Sequence, residues 1–292
     1  MDVQEALQEL GGYANRSVLL SRCSRAAVDR ALREGLVLRL APGVYGLPTT
    51  PLDVRAAIAC GGVLSLTSAA IHHGWEVLRP PLHPHVTVPK HRRVRSRSGI
   101  VLHRCDLLAE QVSGPSTSTD FTLDQCLRQL PWPEALAVAD SALRSGVVPA
   151  RLRRLAVSAS GPGARQLRRV AALANPDAAN PFESALRALC NDIEGLQVVA
   201  QKQVHLGDKW VRPDLVDPDL MVVIEADSFE WHGSRTALHR DTVRYDELVR
   251  AGWIVLRFSW ESVMFEQEWI KGILTDVVRR RTKGCPHCHP AA

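Results

Sequence analysis

Five side chains in the second half of the chain have the types and spacing for metal-assisted hydrolysis. Asp214, Glu225, Asp227 and His232 crowd the run RPDLVDPDLMVVIEADSFEWHG, residues 212–233, and Glu183 lies upstream in NPFESALRALCNDI. Residues 220–224 between the acids are apolar and read as a strand buried on both faces. An ionised carboxylate costs several kcal/mol to bury unless something compensates it. Acids at the rim of such a strand therefore imply either a cation or solvated hairpin ends. Asp217-Pro218-Asp219 is a turn signal and accounts for two acids without chemistry. Asp214 and Glu225 remain. Two carboxylates from paired strands, with a further Glu on a helix, form a hard-oxygen site suited to Mg²⁺ or Mn²⁺. Such an ion can orient a phosphate and lower the pKa of an attacking water.

The pairing has a geometric difficulty. A tight hairpin centred on Pro218 sets Asp214 opposite Val222, and three residues of strand, roughly 10 Å, then separate it from Glu225. Either the turn is asymmetric or strand twist closes the gap.

Each residue also has a plainer reading. Asn180-Pro181-Phe182-Glu183 is a capping-box pattern, with Asn as N-cap, Pro at the first helical position and Glu at the third. Asp214 and Glu225 could be solvated strand ends, and His232 a surface histidine beside Trp231. Asp241 and Arg244, three apart on one helix, could bind each other, or Arg244 could clamp phosphate. Together with Arg240 they could equally be an exposed helix face with ion pairs of little weight.

The elements that must position these groups read as α+β in several domains. Residues 1–50 give a helix over 3–10, a second short helix capped by Asn15 or Ser17, and a third helix in SRAAVDRALREG. Two short strands then flank Pro42-Gly43. That order is a winged helix-turn-helix, and Arg25, Arg30 and Arg33 lie off the apolar stripe of its reading helix. A small helical domain with merely solvated arginines is the alternative. Residues 51–150 mix helices with the strands HPHVTVP and GIVLHRC, and between those strands lies KHRRVRSR. Lys90, Arg92, Arg93 and Arg95 there could contact phosphates or simply face water. His72, His73, His83 and His85 read as structural. Residues 151–178 are an arginine-rich helical connector broken at Gly161-Pro162-Gly163, the best inter-domain boundary. Residues 179–281 read α-β-β-β-α-β-α, a small α/β domain with a mixed sheet between helices. Residues 282–292 form a tail in which Cys285 and Cys288 could bind zinc or nothing.

Composition narrows the class. The chain has 292 residues, 46% hydrophobic and 23% charged, as expected of a soluble globular protein. No apolar run approaches the ~20 residues of a membrane span, and MDVQEALQEL is no signal peptide, so the cytoplasm is expected. Its seven cysteines read as small core residues of a reducing compartment. A net charge of +5 and a pI of about 9.0 are compatible with nucleic-acid binding without proving it.

Two resemblances sharpen this. Glu183, Pro213-Asp214, Glu225-x-Asp227, His232, Arg240-Asp241-x-x-Arg244 and GWIVLRF, over residues 179–265, resemble the PD-(D/E)xK nuclease superfamily. The closest branch is that of the very-short-patch mismatch-repair endonuclease. GGYANRSVLL, APGVYGLP, HVTVPKHRR and IVLHRCDL in the first 150 residues resemble the winged-helix antitoxins of AbiEi-type toxin–antitoxin systems. The resemblance implies a restriction-endonuclease-like fold in which Asp214 and Glu225 hold the metal with the Ala226 carbonyl. Glu183 would assist, and His232 would do the acid/base work. Asp227 stands where that superfamily usually has a lysine, although the very-short-patch branch also lacks it. The implied partner is DNA, cut by a Mg²⁺-dependent endonuclease. The alternative is a non-catalytic antitoxin-like regulator that meets a cognate toxin. A homodimer is open in either case.

Overall fold

The Asp2 side chain accepts from the amide of Val3 and completes a capping box with Glu5, which starts the first helix, α1 (Val3–Glu9). The computed structural model describes residues 2–94, 97–207, 209–227 and 235–282. Arg95, His232, Cys285 and Cys288 lie outside them. The architecture is α+β with mixed sheets, divided into two compact units: residues 1–75 with 79–126, and residues 76–78 with 127–292.

In the first unit, strand β1 (Tyr13–Asn15) and helix α2 (Arg16–Leu20) follow α1. Asn15 stands at the N-cap of α2 but makes no side-chain capping bond. Helix α3 (Arg25–Arg33) is capped by the Ser24 hydroxyl, which accepts from the amide of Ala27. Strands β2 (Leu38–Ala41) and β3 (Val44–Gly46) form the expected hairpin. β1, which sequence patterning leaves as a turn, pairs with β3 and makes a three-stranded sheet. Leu7, Leu19, Val28 and Tyr45 are buried together beneath it.

Helix α4 (Leu52–Cys60), strand β4 (Val63–Leu64), helix α5 (Leu66–His72) and strands β5 (His85–Val88) and β6 (Val101–Arg104) come next. Strands β7 (Val112–Ser113) and β8 (Ser116–Thr117) close a five-stranded mixed sheet, ordered β6-β5-β4-β8-β7. β5 and β6 are parallel, so KHRRVRSR lies in a crossover connection, not a hairpin tip. His85 Nδ1 sits 2.8 Å from His103 Nε2, and His73 Nε2 lies 2.9 Å from the Thr117 carbonyl. These histidines bond within the sheet.

Helix α6 (Thr119–Gln129) is followed in the second unit by α7 (Trp132–Arg144), α8 (Pro149–Ser158) and α9 (Ala164–Leu173). The Gly-Pro-Gly break turns α8 into α9 within that unit. Gly163 has φ +75°, and a Cβ there would stand 2.7 Å from Arg128 Cβ, so both conformation and space require glycine. Helix α10 (Pro181–Cys190) packs on α7 through a buried ion pair. Arg187 donates to Asp140 Oδ1 and Oδ2 at 2.9 and 2.7 Å.

The remaining elements form the sheet that matters most. Strands β9 (Val199–Ala200), β10 (Val204–Leu206), β11 (Lys209–Val211), β12 (Leu215–Asp217) and β13 (Val222–Asp227) precede helix α11 (Arg235–Arg250). Strand β14 (Ile254–Ser259), helix α12 (Trp260–Phe265) and helix α13 (Gln267–Thr282) end the described chain. Three elements differ from the sequence reading, the added strand β11 (Lys209–Val211) among them. The run LQVVAQKQVHL is two strands broken at Gln201, and the terminal helix is interrupted at Glu266. The four-stranded sheet is ordered β14-β13-β12-β9, with β13 and β14 parallel and the rest antiparallel. Leu215, Val222 and Ile224 pack on one side with α10, α12 and α13 residues. Val216 and Val223 pack on the other with the β10–β11 hairpin and Leu248 of α11. The central strands are therefore buried on both faces, as their apolar run requires.

Candidate functional site

The register of β12 and β13 settles the hairpin geometry. Leu215 pairs with Ile224, Val216 with Val223 and Asp217 with Val222, so residues 218–221 form a four-residue turn centred beyond Pro218. Two features shape it. Asp217 Oδ1 accepts from the amides of Asp219 and Leu220 at 3.1 and 3.0 Å, and Met221 takes a left-handed φ of 51°. Leu220 and Met221 thus belong to the turn, where sequence patterning counts them as strand. The consequence is a shift of Asp214 to a place beside Glu225.

The two carboxylates are in contact. The Asp214 amide donates to Glu225 Oε2 at 3.3 Å, and the Ala226 amide donates to Asp214 Oδ2 at 2.9 Å. Glu183 joins them through a residue that sequence reasoning missed. Gln201 Nε2 donates to Glu183 Oε2 at 2.9 Å and to Asp214 Oδ1 at 3.2 Å. Gln201 breaks the strand with φ 53°, which aims a neutral amide between two acids. Nothing in its sequence context signals this. Asn180 Oδ1 caps the helix through the amides of Phe182 and Glu183, and Glu183 holds the segment before it: Oε2 accepts from the Ala179 amide and Oε1 from Asn180 Nδ2, both at 2.9 Å. The same carboxylate therefore bonds at the start of α10 and, through Gln201, to Asp214.

A cationic flank completes the arrangement. Arg244 Nη2 lies 3.4 Å from Glu225 Oε1 and 3.6 Å from Asp241 Oδ1, and it donates to the Tyr245 hydroxyl at 2.9 Å. Asp227 pairs with Arg257 at 2.6 Å. The Arg244 and Arg257 guanidiniums lie 4.8 and 4.5 Å from the centre of the Tyr245 ring. Tyr245 and Arg257 carry no signal apart from their places in the helix and in GWIVLRF.

Electrostatics mark Glu225 most. It is 4% exposed, and burial, then the Asp214 charge, push its carboxyl up to about 7 against the pull of Arg244. Glu183 is raised too, by burial first. Among the described residues, Glu225 Oε1 is buried with only its 3.4 Å ion pair to Arg244, and the buried Arg244 Nε makes no hydrogen bond. Among the described residues no three His, Cys, Asp or Glu side chains are grouped so as to hold a metal ion. Mg²⁺ does not need three: it commonly takes one or two carboxylates and fills its octahedron with water and substrate oxygens.

No family model matches the chain. Two proteins of Mycobacterium tuberculosis are similar over 267 residues, each 29% identical and covering 83% of this chain and 93% of their own length. They are "Uncharacterized protein MT2308" of strain CDC 1551 / Oshkosh and "Uncharacterized protein Rv2248" of strain ATCC 25618 / H37Rv. A crystal structure of the RV2827C protein from the same species aligns with a TM-score of 0.33 and 18% identity, covering 63% of this chain and 78% of that one.

The other expected site residues lie in the first unit. Arg25, Arg30 and Arg33 are exposed on α3, and Lys90 and Arg93 are exposed in the β5–β6 connection. Arg92 folds back, with Nε 3.3 Å from the Cys60 carbonyl. Among the described residues, no helix is long and apolar enough to cross a membrane.

The raised Glu225 carboxyl has a measurable consequence. A folded-state pKa near 7, above the unfolded value near 4.5, gives stability that is fully present below pH 4.5 and lost as pH rises through 7. Glu225→Gln removes that loss. Thermal midpoints of wild type and variant should lie close together near pH 4 and diverge above pH 6, with the variant the more stable at pH 8. Parallel curves would contradict this assignment.

Proposed function

We propose that the chain is a DNA-binding protein whose second unit is a Mg²⁺- or Mn²⁺-dependent endonuclease. The observation that carries the reading is the β12–β13 register, which sets Asp214 beside the buried Glu225, with Arg244 as the cation paired to Glu225 among the described residues. Asp214, Glu225 and the Ala226 carbonyl would hold the cation, with Glu183 assisting through Gln201. When bound, the cation supplies charge to offset the phosphate and acidify a water. The chain's own groups do the rest. Arg244 can take a phosphate oxygen as readily as it takes Glu225. Asp227, at the place of the superfamily lysine, is neutralised by Arg257, so the net charge there is close to zero. His232 remains the candidate general acid/base, in the PD-(D/E)xK arrangement of the very-short-patch branch.

The helices α1 to α3 followed by the β2–β3 hairpin support a winged helix in residues 1–50, with α3 as the reader and Arg25, Arg30 and Arg33 turned to solvent. Lys90, Arg93 and the neighbouring Arg92 and Arg95 would add phosphate contacts.

One observation favours a second reading. The Asp227–Arg257 pair takes up the charge that would otherwise face a phosphate, as in an antitoxin-like regulator with a degenerate nuclease domain. The deciding measurement is calorimetric titration of the full chain with Mn²⁺ at pH 8. Wild type should bind, Asp214→Ala should not, and the uptake should weaken as pH falls below 7. Absence of binding to wild type, with or without duplex DNA, would leave the regulator.

A further inference from the structure

Helices α8 and α9 carry positive charge that the carboxylate site does not use. Seven arginines and no acidic residue lie between Asp140 and Asp177. They differ in employment. Arg144 binds Glu76 and the Ala178 carbonyl, and Arg168 donates to the Ala159 carbonyl at 2.7 Å. Arg153, Arg154 and Arg165 are exposed and make no side-chain hydrogen bond or ion pair among the described residues.

Arg165 also lines a surface cavity of about 630 Å³ with Trp132, Gly163, Gln166 and Arg169. That volume is within the usual span for small-ligand sites, roughly 300–1,000 Å³. One wall sets a guanidinium over an indole. The Arg169 guanidinium lies 3.9 Å over the Trp132 ring. Arg169 is fixed by Asp192 Oδ1 at 2.6 Å, and Trp132 Nε1 donates to the Ala188 carbonyl at 3.1 Å. A preformed wall of indole and guanidinium suits a flat heterocycle, and base stacking on such surfaces is tolerant of sequence. The free Arg165 fork on its lining matches phosphate oxygens, and Arg153 and Arg154 add exposed charge on α8. An anionic membrane would attract the same charges, but it also needs apolar side chains to insert. Along α8 and α9 one large apolar side chain is exposed, Val157.

We propose that this groove binds single-stranded nucleic acid. One unpaired base stacks on the Trp132–Arg169 wall, and Arg153, Arg154 and Arg165 take the flanking phosphates. The site is separate from the carboxylates and does not depend on their being catalytic.

The test is fluorescence anisotropy of a labelled twelve-residue oligothymidylate with the full chain, in EDTA, from 50 to 200 mM salt. Wild type should bind with strong salt dependence. The triple variant Arg153→Gln, Arg154→Gln, Arg165→Gln should bind at least tenfold more weakly at 100 mM salt. Its log–log salt slope should be smaller by about 2, from three lost contacts at ~0.7 each. The triple variant should still take up Mn²⁺ like wild type, which keeps this result independent of the cation reading. Three outcomes overturn the proposal: no binding by wild type, an unchanged slope in the triple variant, or tighter binding to phosphatidylserine vesicles than to the oligonucleotide.

Discussion

Asp214→Ala should abolish divalent-cation-dependent cleavage of DNA by the full chain, a fall on the order of a thousandfold or more. A bound cation contributes several kcal/mol of charge stabilisation, and each ~1.4 kcal/mol is a factor of ten in rate. Loss of Asp214 removes one of two carboxylates and the acceptor for the Ala226 amide. The unpaired amide costs about 1–3 kcal/mol of stability, so Asp214→Asn is the companion variant. It keeps an oxygen for that amide and discards the charge. Both variants should be inactive, and the Asn form should melt closer to wild type. Either variant also relieves Glu225 of the neighbouring charge that raises its carboxyl. A supercoiled plasmid nicking assay with Mg²⁺ and with Mn²⁺ reads the result. Wild-type activity that survives in either variant refutes the assignment of Asp214.

The second large effect is on stability. Asp140 is fully buried and Arg187 is 5% exposed. Arg187→Leu leaves a buried carboxylate without its partner, and breaking such a pair typically costs 3–5 kcal/mol. For a chain of this size that is a fall on the order of 10 °C in Tm. Burial pushes the Asp140 carboxyl up while Arg187 pulls it down, so the stranded acid will take up a proton and recover part of the cost. The double variant Asp140→Leu, Arg187→Leu should be more stable than Arg187→Leu alone, because an apolar pair carries no desolvation cost. Scanning calorimetry of the three proteins tests this. A single variant as stable as wild type would show that the pair does not organise α7 against α10. The pair bears on the site as well, since Arg187 lies one helical turn beyond Glu183 and sets the rotation of α10.

Much of this was legible in the sequence, and the failures have particular causes. The third helix with its Ser24 cap, the Pro42-Gly43 hairpin and the doubly buried β13 follow from local chemistry and periodicity. The Asp214–Glu225 pairing does not. It depends on a four-residue turn whose apolar members, Leu220 and Met221, look like strand. Met221 adopts a positive φ that sequence patterning gives no reason to expect. Gln201 was hidden for a related cause: a strand-like run breaks there, at a residue without turn character. The bonds that give it a role come from Glu183 and Asp214, 18 and 13 residues away. Arg257 was visible as a residue but not as a partner, because the parallel β13–β14 register that brings it beside Asp227 is non-local.

The double employment of Glu183 bears on how this protein can change over generations. Asp214 can drift to a neutral residue at modest cost to folding, so the carboxylate pair can be lost while the scaffold persists. A substitution at Glu183 unpicks the start of α10 and the link to Gln201 together, and selection for a folded chain opposes it whatever the fate of the chemistry. An acid at 183 in a descendant is therefore weak testimony of activity. An acid at 214 is the stronger witness.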